Sequence, residues 1–138
     1  MDGKKAVKKN ILFVCVGNSC RSQMAEGFAA AYGKDKAEVK SAGVAASGVV
    51  NRSALEAMKE KGIDIKGQTS KQLTSEMIRW ADVVVTLGCC GAEELCPVGF
   101  KGEKYDWPVD DPLGLPWEAM RRVMDDIEKR VKRLIEGL

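Results

Sequence analysis

Histidine is absent from all 138 residues. One chain therefore cannot build Cys–His or Ser–His–Asp catalysis, nor any imidazole-ligated metal site. Proton transfer must fall to a carboxylate, a thiol, water or the substrate itself. Aromatic side chains are scarce at 6%, and basic residues outnumber acidic ones by only 22 to 20. Such an even balance, without a basic patch interleaved with aromatics, leaves no footprint for nucleic acid. Long apolar runs are missing too, so nothing approaches the ~20 residues of a membrane span. The apolar run after Lys4, Lys5, Lys8 and Lys9 is far too short for an export signal and has no cleavage site behind it. Cytoplasmic residence is the expectation, with residues 1–9 a polar, solubilising tail.

The remainder, residues 10–138, has enough apolar content (45% overall) and length for a single domain with one core. Five cysteines stand out. In a reducing compartment they point to metal binding, catalysis or redox cycling rather than to structural disulfides.

The densest chemistry lies in Cys15-Val-Gly-Asn-Ser-Cys-Arg21-Ser22. This stretch follows the apolar run Ile11–Val14 and precedes the helix-favouring Gln23–Glu26. A strand, a tight loop and a helix start in that order aim successive N–H groups of Val16, Gly17, Asn18, Ser19, Cys20 and Arg21 into one concavity at a positive helix end, an anion site. Gly17 supplies backbone freedom, and Asn18 is among the few other residues that tolerate the left-handed region. The helix terminus and Arg21 favour a thiolate at Cys15. The Arg21 guanidinium can grip two oxygens of a tetrahedral oxyanion. Nucleophile and clamp in one loop imply attack on phosphorus or a similar atom.

Elsewhere the periodicity predicts alternating strands and helices. Ile11–Cys15 reads as a buried strand, then Ser22–Tyr32 as a helix stopped by Gly33. Glu38–Ser41 is a weaker strand running into a flexible Ala42-Gly43, and Asn51 caps a helix ended by Gly62. Ile63–Ile65 is extended, and a helix to Trp80 begins at Ser70 or Thr74. Asp82–Leu87 is a buried strand, Gly88–Lys104 a long loop, Tyr105–Trp107 a brief strand and Pro108–Gly114 a turn. An amphipathic helix, Trp117–Glu136, closes the chain. This alternation predicts a parallel sheet covered by helices on both faces, with the ligand loop at the carboxyl end of a strand.

The Cys15-(five residues)-Arg21-Ser22 pattern between strand and helix resembles the phosphate loop of the low-molecular-weight tyrosine phosphatase superfamily. Val14 to Phe28 is similar, within it, to the thioredoxin-coupled arsenate reductases. The resemblance implies an α/β fold with a four-stranded parallel sheet flanked by helices. It also implies a mobile acid on an Asp-Pro loop, here Asp111 before Pro112, and a Ser22 that hydrogen-bonds the Cys15 sulfur. Asn18 is expected to fix the loop rather than touch substrate. Leu113-Gly114 stands where the phosphatases carry aromatic residues, which argues against an aryl-phosphate substrate. Cys20 reads either as a packed, inert thiol or as a trap for an oxidised Cys15.

Gly88-Cys89-Cys90-Gly-Ala-Glu-Glu-Leu-Cys96-Pro97 resembles the redox segment of those reductases. What it implies is arsenate reduction: Cys15 attacks arsenic, a second thiolate attacks Cys15, and a third resolves the disulfide for thioredoxin. The seven-residue separation matches Cys89 as second thiol and Cys96 as third. Cys90 is a spare, or the second thiol in another register. The alternatives are a phosphatase acting on a phosphate monoester through Cys15, Arg21 and Asp111, or a thiolate metal site at Cys89, Cys90 and Cys96. Neither a metal nor another cofactor is expected in the reductase, and a monomer is the default. Some such reductases bind potassium through positions matching Asn18, Glu26 and Ser41. Lys71 replaces a carboxylate expected there, so its ammonium is a candidate built-in cation bonded to Glu26 and Asn18.

Overall fold

A computed structural model of the chain describes residues 7–138. In chain order its elements are β1 (Lys9–Cys15), α1 (Arg21–Tyr32), β2 (Ala37–Gly43), α2 (Arg52–Glu60), α3 (Ser75–Trp80), β3 (Val83–Leu87), α4 (Ala92–Leu95), β4 (Glu103–Trp107) and α5 (Trp117–Glu136). The four strands form one all-parallel sheet in the order β2-β1-β3-β4. The chain leaves β1 for β2 on one side and then crosses to β3 on the other. The crevice between the carboxyl ends of β1 and β3 is therefore the topological switch point, where ligands of such sheets bind.

Burial on both faces explains the uninterrupted apolar run of β1. Ile11, Phe13 and Cys15 share a core with Met24, Phe28, Met58, Met124 and Ile127 from α1, α2 and α5. Leu12 and Val14 face the opposite core with Ile78, Ala92 and Cys96. In α5 the buried stripe Met120, Val123, Met124, Ile127, Val131 and Ile135 follows the expected helical spacing. By contrast β4 lies at the sheet edge and is largely exposed, with Glu103, Lys104 and Asp106 supplying the charge that discourages edge pairing.

Several boundaries differ from the sequence reading. Lys9, assigned to the tail, opens β1, whereas residues 1–6 of that tail lie outside the described residues. Helix α3 starts after Thr74, whose hydroxyl accepts from the Met77 N–H. Ser70, the other proposed start, instead donates its hydroxyl to the Gly17 carbonyl. The loop between β3 and β4 carries one helical turn, α4. Its first N–H, on Ala92, is held by the Asp106 carboxylate, a long-range cap that no local pattern reveals.

The expected flexibility of Ala42-Gly43 is also corrected. Both residues lie in β2 and are buried. The Gly43 N–H donates to Lys71, and its carbonyl accepts from Leu73. The loop after β1 crosses directly over Gly43, where a Cβ would meet the Val16 carbonyl oxygen and come within 2.8 Å of the Asn18 nitrogen. Gly43→Ala is expected to lower stability by ~1–3 kcal/mol, the usual cost of overpacking, as a shift of the urea midpoint. Gly67→Ala, where a Cβ meets nothing within 4 Å, should leave that midpoint in place.

Candidate active site

The loop joining β1 to α1 is held from outside by its carbonyl groups. Cys15, Val16, Gly17 and Ser19 accept from the N–H groups of Val44, Ala45, Ser47 and Asn51 respectively, at 2.8–3.0 Å. Turning the carbonyls outward turns the intervening N–H groups inward. Among the described residues no protein acceptor takes up the N–H groups of residues 17–20. Such a ring of N–H groups at a helix start is the concavity that binds a tetrahedral anion.

Asn18 makes the turn. It alone among the described non-glycine residues has a positive φ, +48°. Gly17, expected to supply the unusual backbone angle, does not. Asn18 is fully buried, and each polar atom of its side chain has a partner. Its Nδ2 donates to Ser22 Oγ (2.7 Å) and Ser41 Oγ (2.9 Å), and its Oδ1 accepts from the Lys71 N–H (2.7 Å). The Asn18 side chain is thereby committed to holding the loop, and only its main-chain N–H faces the concavity.

Those bonds orient the hydroxyls. Because Ser22 Oγ accepts from Asn18, its single proton is free to point at Cys15 Sγ, 2.9 Å away. Ser41 likewise accepts from Asn18 and donates to Glu26 Oε1 at 2.5 Å. Burial pushes the Glu26 carboxyl above its ordinary range, opposed by the Ser41 bond and the nearby Lys71 charge. The Lys71 ammonium, however, does not bond Glu26 or Asn18. It turns to Thr69, 2.7 Å from the carbonyl oxygen and 3.5 Å from the hydroxyl. What reaches Asn18 Oδ1 is the Lys71 main-chain N–H, while the ammonium folds back on the residue two positions earlier. The built-in cation expected from sequence is thus reduced to a charge acting at a distance.

Sequence reasoning missed Gln23. It is fully buried, and its Nε2 ties the Asn18 carbonyl (3.0 Å) to that of Thr69 (2.9 Å). A signal existed: a polar pair, Ser22-Gln23, on the inward side of a helix that packs nearly all round.

Arg21 is 7% exposed, and its Nη1 donates to the carbonyls of Gly88 (3.3 Å) and Val109 (3.1 Å). One end of the guanidinium is therefore anchored, and the other N–H groups remain for an oxyanion. Gly88 has φ +67°, and a Cβ there would reach to 2.5 Å from Arg21 Nη1. This residue, not noted beforehand as part of the site, must be glycine for two separate reasons.

Asp111 is exposed, and its Oδ1 accepts from the Leu113 N–H (3.0 Å) in the turn after Val109. Its charge reaches the loop. Burial foremost, then the charges of Asp111 and Cys15, push the Cys20 thiol up to about 12, against a partial opposing effect of Arg21. Cys20 also packs 3.9 Å from the Met120 sulfur. The inert reading of Cys20 fits these surroundings.

The three distal cysteines divide. Cys89 and Cys90 are bonded to each other, while Cys15, Cys20 and Cys96 are free thiols. Cys89 Sγ lies 3.7 Å from the Val14 carbonyl oxygen at the switch point and packs on the sheet face of Leu12 and Val14, opposite the core that holds Cys15. Cys96 is buried, and burial raises its thiol above the ordinary range. Among the described residues Cys89, Cys90 and Cys96 do not gather with other cysteines or carboxylates into a cluster of three or more metal-binding groups. No helix is long and apolar enough to cross a membrane among the described residues.

These surroundings predict a selective alkylation pattern. Iodoacetamide at pH 8 should modify Cys15 and spare Cys20, which titrates only near pH 12, until urea exposes it. Ser22→Ala should slow Cys15 modification about tenfold, since a hydrogen bond to a charged group contributes roughly 1.5 kcal/mol or more. Peptide mass spectrometry reads both. Equal rates in the variant and the unaltered protein would remove Ser22 from its role.

The family pattern for low molecular weight phosphotyrosine protein phosphatases matches residues 10–138. The chain is 47% identical over 136 residues to an arsenate reductase of Halalkalibacterium halodurans, covering 94% of this chain and 96% of that one. Among solved structures, an arsenate reductase in the phosphate-binding state superposes with a TM-score of 0.81 at 39% identity, over 94% of this chain and 98% of that one. A thioredoxin-dependent arsenate reductase of Corynebacterium glutamicum gives a TM-score of 0.81 at 28% identity, over 96% of this chain and 62% of that one. The oxyanion loop, the four-stranded parallel sheet and these similarities agree: the chain belongs to the low molecular weight phosphotyrosine protein phosphatase family.

Proposed function

We propose that the protein is a cytoplasmic arsenate reductase that passes electrons from thioredoxin to arsenate. The observation that carries this reading is the position of Cys89, at the end of the strand adjoining Cys15 and 3.7 Å from the Val14 carbonyl oxygen. Hydrolysis of a phosphate ester needs one thiolate and water. Reduction of arsenic from the +5 to the +3 state needs two electrons, which Cys15 and a second cysteine at the same end of the sheet can supply by forming a disulfide.

The loop N–H groups and the free edge of Arg21 hold the arsenate oxygens. The Cys15 thiolate attacks arsenic, and a hydroxyl leaves as water with a proton from Asp111. The Cys89 thiolate then attacks Cys15 Sγ. The S–As bond breaks, its electron pair stays on arsenic, and arsenite departs, leaving a Cys15–Cys89 disulfide. Ser22, already aimed at Cys15 by Asn18, stabilises that sulfur when a resolving thiol expels it. Cys96, seven residues beyond Cys89, is the third thiol, from which thioredoxin takes the oxidation.

One observation favours a second reading. With Cys89 and Cys90 bonded, the groups left to act on an oxyanion are Cys15, Arg21, Ser22 and Asp111, the set that hydrolyses phosphate monoesters. The exposed Leu113 and Gly114 after the acid loop give an aryl group no flat wall to stack on, so such hydrolysis is expected to be a weak side activity.

NADPH consumption with thioredoxin, thioredoxin reductase and arsenate tests the proposal. Arsenate-dependent turnover should fall at least ~100-fold in Cys15→Ser, Cys89→Ser and Cys96→Ser, since each removes a bond-forming sulfur. Absence of arsenate-dependent consumption, with brisk aryl-phosphate hydrolysis untouched by Cys89→Ser and Cys96→Ser, would make the protein a phosphatase.

A further inference from the structure

We propose that Cys90 is a fourth working thiol: it resolves the Cys15–Cys89 disulfide, so that the oxidation rests as a Cys89–Cys90 bridge before it passes to Cys96. The inference builds on the arsenate reductase reading and adds a residue that neither the three-thiol scheme nor the family resemblance requires.

Three observations carry it. The Cys89–Cys90 bond is closed in this structure while Cys15 and Cys96 are both thiols. The Cys89 and Cys90 sulfurs thus already meet in the folded chain, the contact that an exchange between them needs. Secondly, Cys96 is poorly placed to act first. It is 8% exposed, sits in the core with Val14, Val84 and Ala92, and ends the helical turn α4, with its own N–H bonded to the Ala92 carbonyl. That turn is pinned at its start by Asp106, which also accepts from the Thr86 hydroxyl. For Cys96 to meet Cys89, this anchored turn must open. Cys90 is already beside Cys89 in the chain and needs no such movement. Thirdly, Cys89 and Cys90 are half-exposed where Cys96 is not. Burial also raises the Cys96 thiol, which leaves less of it as the attacking thiolate.

The exchange balances without a new oxidant. Arsenate accepts two electrons when the Cys15–Cys89 bond forms. The Cys90 thiolate then attacks Cys89 Sγ: the Cys89–Cys90 bond forms, the Cys15–Cys89 bond breaks, and Cys15 leaves as a thiolate facing the Ser22 hydroxyl. No electrons enter or leave the protein in that step. Cys15 is thereby restored to its reduced form while the oxidation is still inside the chain. In the last exchange the Cys96 thiolate attacks Cys90 Sγ, forming Cys90–Cys96 and releasing Cys89 as a thiolate. The opening of α4 is then required only at this late stage, when the bridge is presented to a protein dithiol.

Single-turnover disulfide mapping tests the order of exchange. Fully reduced protein, freed of reductant, is mixed with one equivalent of arsenate, quenched with N-ethylmaleimide and mapped by peptide mass spectrometry, with arsenite quantified alongside. Cys96→Ser should stop as a Cys89–Cys90 bridge with Cys15 alkylated. Cys90→Ser should accumulate the Cys15–Cys89 bridge, and its steady-state arsenate turnover should drop about tenfold or more. A Cys96→Ser protein that stops at Cys15–Cys89, or a Cys90→Ser protein that turns over like the unaltered one, would overturn the role of Cys90 while leaving the reductase intact. Neither arsenite nor any bridge in the unaltered protein would instead overturn the reductase reading, and the proposal with it.

Discussion

The site depends on which way the peptide groups of the loop after β1 face. A loop that leaves a parallel strand and enters a helix has no ladder of its own, so its carbonyls need outside donors. Here the donors come from the chain just after β2, where Val44, Ala45, Ser47 and Asn51 take the carbonyls of Cys15, Val16, Gly17 and Ser19. This strap can lie so close only because Gly43 has no side chain where the loop passes. Asn18 then closes the turn from inside, in a backbone conformation that costs asparagine less than most residues. An inward-facing set of N–H groups follows from those contacts before any ligand is present, which is the preorganisation that electrostatic catalysis needs.

Arg21 links that cradle to two further segments of the site. Its Nη1 holds Gly88, the residue before the cysteine doublet, and Val109, two residues before the acid loop's aspartate. In the proposed reduction, oxyanion clamp, redox segment and proton donor are thereby tied to one buried guanidinium at the switch point between β1 and β3. A phosphatase and a reductase can share this frame, because both need an anion held against a thiolate. They part at the next step, according to whether a second sulfur stands near the first. On the proposed reading, cysteines on the segment after β3 change the reaction class without changing the fold.

Much of this was legible before any coordinates. The order of strands and helices, the buried run of β1, the stripe of α5 and the Asn51 cap follow from spacing and from capping chemistry, both local properties. The loop from Cys15 to Ser22 was legible for the same reason: nucleophile, turn residues and clamp lie within eight positions. What stayed hidden depends on distant contacts. Gly43 looked like a flexible hinge, because nothing nearby in sequence shows that the loop passes over it. The α4 turn was hidden because its cap, Asp106, belongs to another strand. Lys71 was assigned to the wrong partner: its main-chain N–H, a group every residue but proline carries, took the place foreseen for its ammonium. Ser70 read as a helix start, yet it serves the Gly17 carbonyl fifty-three positions away.

The central claim is that the protein itself holds the two electrons arsenate needs. Fully reduced protein, stripped of every small thiol and mixed with excess arsenate in the absence of thioredoxin, should release about two arsenites per chain and then stop, one as the oxidation moves to Cys90 and Cys96 and one as Cys15 and Cys89 close, because each thiol pair delivers two electrons once. Arsenite measured by chromatographic speciation should appear in that single burst. No arsenite from reduced protein, although phosphate still binds the loop, would contradict the account and leave a hydrolase in its place.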